Sequence, residues 1–202
     1  MRRLFSLMAV LALCGCATSH DNPELFLLTP EHFRDTAQIV DDSLETTATI
    51  SMEPGYHEHN NINKDGWSCD SYLRAFVDKR SGRTTYQLYV DVGYISHERR
   101  LYDSVNYKTP EGIQSAALIK IARDKNYCRR DKECEHDEVV GLNLPEGVVR
   151  EIAATYSPNA QNPWLFKLKG RILNEDMEDG IVPAEAAGLL MAVQAYKASL
   201  HR

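Results

Sequence analysis

Trp67-Ser-Cys-Asp-Ser-Tyr-Leu-Arg-Ala-Phe-Val-Asp-Lys-Arg-Ser-Gly-Arg-Thr-Thr-Tyr-Gln-Leu-Tyr-Val-Asp-Val-Gly-Tyr94 is the stretch that decides the fold class. Trp67, Cys69, Ser71, Leu73, Ala75 and Val77 share one face of an extended chain. In the run that follows, Tyr86, Leu88, Val90, Val92 and Tyr94 share a face and alternate with Gln87, Tyr89 and Asp91. A period of two is the signature of a half-buried strand. Ser81-Gly82-Arg83 separates the runs with a short glycine-containing turn, so together they predict an antiparallel hairpin.

The same pattern extends outward in both directions. Upstream, Ala48, Ile50 and Met52 alternate with Thr47, Thr49 and Ser51 as a further strand, and Thr29-Pro30 predicts a helix start, with Thr as the cap and Pro in the first turn. That helix is expected to place Phe33, Ala37 and Val40 on one face. Downstream, the apolar segment 116–122 leads to Cys128, and Val140, Leu142 and Leu144 alternate after Cys134, which predicts a second hairpin. Residues 146–156 read as a helix. Trp164, Phe166, Leu168 and Gly170 then mark a strand with Lys167, Lys169 and Arg171 on its solvent side. Pro183 opens a closing helix with Ala186, Leu189, Leu190, Val193 and Tyr196 on one face. Strands joined by turns rather than by alternating helices predict an α+β fold, an antiparallel sheet built from hairpins with two or three packed helices. A β-sandwich with peripheral helices is the alternative.

The start of the chain bears on location. Arg2 and Arg3 precede an apolar run, Leu4 to Leu13, that is shorter than the ~20 residues of a membrane-spanning helix. The run ends in Leu13-Cys14-Gly15-Cys16, which resembles the lipobox of bacterial lipoproteins. That resemblance implies cleavage before Cys16 and a diacylglycerol on its sulfur. A plain secretory signal, which leaves Cys16 an ordinary thiol, is the competing reading. Because Ala17 rather than Asp follows, the resemblance further implies the outer membrane, on its periplasmic face. Residues 1–15 are then the signal peptide, 16–23 the lipidated N-terminus and a short polar tether, and 24–202 a single periplasmic domain.

The second half is also similar, loosely, to uncharacterised bacterial envelope lipoproteins. The likeness rests on the Cys-bracketed hairpin, Leu144-Pro145, Phe166-Lys-Leu-Lys-Gly170 and Ile181-Val-Pro-Ala184 before a final helix. It carries no activity with it.

Charge and cysteines narrow the possibilities. The chain has 23 Lys and Arg against 29 Asp and Glu, a net charge of −6, and losing Arg2 and Arg3 with the signal segment takes it to −8. An acidic protein of this kind is repelled by nucleic acid and by anionic headgroups, so membrane attachment rests on acyl chains. In the oxidising periplasm implied by the lipobox resemblance, three cysteines beyond Cys16 allow three pairings. Cys128 and Cys134 are the expected disulfide, across a polar hairpin tip, with Cys69 a buried thiol.

Two metal motifs are incomplete. His57-Glu58-His59 sets two imidazoles two residues apart, and Cys134-Glu-His136-Asp-Glu138 could add ligands, but Pro54-Gly55 and Asn60-Asn61 make the first a loop rather than a helical zinc motif. Asn174, Asp176, Glu178 and Glu185 match positions of a calcium loop, with Gly180 one residue late and Pro183 interrupting. No Gly-x-Ser-x-Gly elbow, Ser-x-x-Lys or phosphate loop is present. The reading is therefore no resident cofactor or metal. The expected role is a non-enzymatic binding or assembly-support module for an envelope protein partner, working through an exposed sheet edge or a Tyr-rich face. A metal-dependent enzyme or factor using His57 and His59 is the alternative.

Overall fold

The structure is a computed structural model, and it describes residues 28–56, 67–128, 133–158, 162–172 and 175–200. Cys16 and its leader lie outside these residues, as do His57 and His59. The elements in chain order are α1 (Pro30–Thr36), β1 (Gln38–Val40), β2 (Thr47–Ser51), β3 (Trp67–Asp78), β4 (Thr84–Ser96), β5 (Tyr102–Thr109), β6 (Gly112–Ala117), β7 (Ile119–Cys128), β8 (Cys134–Leu144), α2 (Glu146–Ala154), β9 (Trp164–Gly170), β10 (Met177–Ile181) and α3 (Pro183–Leu200).

The quoted stretch forms the central hairpin. Asp78 closes its turn by accepting the Ser81 backbone N–H at 2.7 Å and hydroxyl at 2.6 Å, while the Gly82 N–H reaches the Asp78 carbonyl at 2.8 Å. Gly82 sits at φ +68°, a left-handed conformation that a Cβ would strain. β3 and β4 pair from Trp67 opposite Tyr94 to Val77 opposite Thr84, and they lie at the centre of a six-stranded sheet ordered β1-β2-β3-β4-β8-β7. A second sheet, ordered β10-β9-β5-β6, has four strands, and every neighbouring pair in both sheets is antiparallel.

The fold is α+β with packed helices, as the hairpins predicted. The inner face of the large sheet is covered in two parts. α3 packs on β2 and β3 with α1 and α2 beside it, and the four-stranded sheet faces the remainder, with β10 against β3. The second sheet is the layer that the sandwich alternative anticipated. Ile50, Leu73, Leu88, Val92, Leu168, Ile181 and Leu189 fill the core between the layers. No helix among the described residues is long and apolar enough to cross a membrane.

Several boundaries differ from expectation. α1 ends at Thr36, because Gln38–Val40 leaves the helix to pair with β2; Phe33 is buried, but Val40 points to solvent. The segment 116–122 divides at Leu118, so its first part belongs to the small sheet and only the rest forms the Cys-bracketed hairpin with β8. Residues 177–181, expected within a strand-to-helix connection, form β10. Their inward positions are Met177, Asp179 and Ile181, and the acid in the middle conceals the alternation.

Candidate functional site

Two buried polar networks hold the layers together. The first lies where α3 and β10 meet β3. β2 stops at Ser51, which leaves the β3 edge without a neighbouring strand, and the Glu185 carboxylate takes the vacant position. It accepts the Leu73 N–H at 2.7 Å and also the Tyr56 N–H. On the adjacent strand Asp179 accepts the Ser71 hydroxyl at 2.6 Å and the Cys69 thiol at 3.3 Å. Complete burial pushes Glu185 up to about 8, and burial with the Glu53 charge pushes nearby Asp70 up to about 6. Glu185 is thus held neutral at ordinary pH.

The second network fixes the chain as it leaves one sheet for the other. Glu138 on β8 is fully buried. It accepts the Tyr94 hydroxyl and the Leu101 N–H at 2.9 Å, and it forms an ion pair with the Arg123 guanidinium at 3.0 Å. Arg100 lies over the Tyr94 ring at 4.4 Å and pairs with Glu175. Leu101 is held at φ +53°, where a leucine is strained, by its bond to Glu138. Arg123 also donates to the Tyr102 carbonyl at 3.1 Å, and the Leu118 N–H to that of Asp103 at 2.9 Å, so β5, β6 and β7 are fixed as one corner.

The sequence-derived candidates do not converge. His136, expected among possible metal ligands, is buried and engages the Ser96 carbonyl at 3.2 Å, while Glu138 serves the network above. Asp176 pairs with Lys169, Glu178 with Lys167 at 3.0 Å, and Glu185 is in the core; Asn174 lies outside the described residues. Among the described residues no three His, Cys, Asp or Glu side chains are grouped to hold a metal ion. Cys128 and Cys134 are directly opposite in the β7–β8 ladder and within disulfide-bonding distance, with Cys69 buried. Lys167 and Lys169 lie on the outer side of β9 and pair across to β10.

The Tyr-rich face does not present tyrosines to solvent. Tyr72, Tyr86, Tyr94, Tyr102 and Tyr196 are buried, and Tyr56, Tyr89, Tyr107 and Tyr156 are half-buried. On the outer side of the large sheet Tyr72 stacks on Tyr89 at 4.7 Å. Arg74 lies over Tyr89 and Phe76, and its guanidinium is committed to Gln87 at 2.6 and 3.0 Å. The Arg74 guanidinium is thereby occupied within the layer.

The sheet edges differ sharply. β1 is three residues long and is followed by Asp41 and Asp42; β10 is mostly buried; and the β7 ladder is interrupted by register shifts and carries Lys120, Arg123 and Asp124. Shortness, cover, bulges and charge are the ways natural proteins keep strand edges from pairing. β6 has none of them. Nearly all of it is exposed, among the described residues it pairs only with β5, and Gly112-Ile-Gln-Ser-Ala-Ala-Leu-Ile119 contains no charged residue and no proline. Ile113 is 70 % exposed, and Ile119 and Ile121 at the start of β7 are exposed as well. A strand of this kind offers free backbone N–H and C=O groups to an added strand, with apolar side chains beside them.

The chain matches no family model, no curated protein and no solved structure. Function therefore has to be argued from the edge itself.

Proposed function

We propose that this protein is a lipid-anchored envelope protein, held through Cys16 on the periplasmic face of the outer membrane, and that its domain is a non-enzymatic binding or assembly-support module. The β6 edge is its working surface. The observation that carries this reading is an uncharged strand left open at a corner whose position a buried network secures. Rigid support matters because an added strand must meet donors and acceptors already in register. The −8 net charge left after loss of Arg2 and Arg3 keeps the domain itself off anionic headgroups, which leaves the acyl chains as the anchor.

The test is a photo-crosslinking side chain at Ser115 in intact cells, compared with the same probe at Lys167 on the outer face of the same sheet. A discrete adduct at Ser115, lost when Ile113→Lys adds a charge to the edge, is expected. Equal labelling at the two positions, or none at Ser115, would reject the edge as the working surface.

A further inference from the structure

We infer that the strand completing the β6 edge is the β6 of a second copy of this chain, the two meeting antiparallel about a twofold axis at Ser115. This rests on the reading of β6 as the working edge and names its occupant.

The argument begins with parity. In the small sheet Ile113, Ser115 and Ala117 fall on one face, and Gln114 and Ala116 on the other. Residues directly opposed in an antiparallel ladder have side chains on the same face, so a symmetric pairing must match odd positions with odd and even with even. A twofold axis at Ser115 does this. It sets Ser115 against Ser115, Ile113 against Ala117 and Gln114 against Ala116. Each larger side chain then meets a small one, in both halves at once, and two four-stranded sheets become one of eight strands.

Local charge permits the same partner. Two chains of net charge −8, the value after loss of Arg2 and Arg3, repel over most of their surface, and the uncharged run 112–119 is a seam where they can approach. Each end of the strand carries one base and one acid, Lys108 with Glu111 at the start and Asp103 with Lys120 at the finish. Antiparallel pairing therefore joins neutral ends and directs the Glu111 of each copy toward the Lys120 of the other.

The register is tested with cysteine in the full chain in its membranes. Directly opposed Cα atoms in an antiparallel pair lie ~4.5–5.5 Å apart, within the ~4.4–6.8 Å span of disulfides. Ser115→Cys is expected to give a chain-to-chain disulfide on mild oxidation, whereas Leu165→Cys, also exposed, is expected to give none. Adding Ile113→Lys to Ser115→Cys should reduce the dimer at least tenfold. If Ser115→Cys instead joins a species of another mass, or is shielded from a hydrophilic thiol reagent without dimerising, the second copy is wrong and the edge reading survives. If Ser115→Cys reacts freely with that reagent and forms no adduct, both fail.

Discussion

Glu185 shows how a single buried carboxyl sets the pH response of the fold. Its ordinary value is 4.5 and its buried value about 8, so between these the folded chain keeps a proton that the unfolded chain has lost. Stability is complete below about pH 4.5 and declines as pH climbs to about 8. Asp70 adds a decline of the same sign that ends at about 6. Glu185→Gln is therefore expected to flatten the fall in melting temperature between about pH 6 and about pH 8, above the range of Asp70, and thermal scans in that interval check it. Glu138 matters through its contacts, with Tyr94, Leu101 and Arg123 all facing it. Glu138→Ala leaves Arg123 without its partner and should cost about 3–5 kcal/mol in urea unfolding, as breaking other buried ion pairs does. Neither role was legible in the sequence. In the sequence Glu138 falls among possible metal ligands, Glu185 in an incomplete calcium motif and Asp179 in no motif, and only their places beside Val140, Ala186 and Met177 hinted at burial.

Elements were legible where alternation was clean and obscure where polar residues took inward positions. The β3–β4 hairpin, β2, β9 and α3 all followed from period and turn chemistry, because apolar residues predominate on the face that each buries. β5 gave no warning. Its outward Ser104, Asn106 and Lys108 are polar, but a register shift between Tyr102 and Ser104 breaks the alternation on the inward side. β6 was read as the lead-in to the second hairpin because its residues run without a charge into β7. The property that hid its boundary is the one that distinguishes its edge. The Cys128–Cys134 link belongs to this scale as well. Closing a separation of six residues is worth about 2 kcal/mol in the chain-entropy view. Replacing both cysteines with Ser should lower urea stability by about that amount while leaving the far-ultraviolet spectrum unchanged.

At the scale of the whole molecule, the anchor and the alternative metal reading are each open to one decisive measurement. Cys16→Ser should move the protein from membranes to the soluble periplasmic fraction, because an acidic domain has no second means of attachment; retention after a salt wash would count against the lipobox reading. His57→Ala combined with His59→Ala should shift stability by less than about 0.5 kcal/mol, as the loop expected from the sequence around them implies. Elemental analysis showing one transition metal per chain, lost in that double variant, would revive the metal-dependent alternative. The hydrogen bonds that carry α3 and β10 onto β3 have a further consequence, which concerns time rather than stability. Ser71 meets Asp179 across 108 residues and Leu73 meets Glu185 across 112, so the central strand is sealed by the last fifth of the chain. Contacts this distant in sequence make folding slow. Under the proposed lipoprotein reading, a chain exported from its N-terminus displays the apolar faces of β3 and β4 until its C-terminal helix arrives, and its yield in the cell should follow the supply of periplasmic holdase chaperones more closely than it follows equilibrium stability.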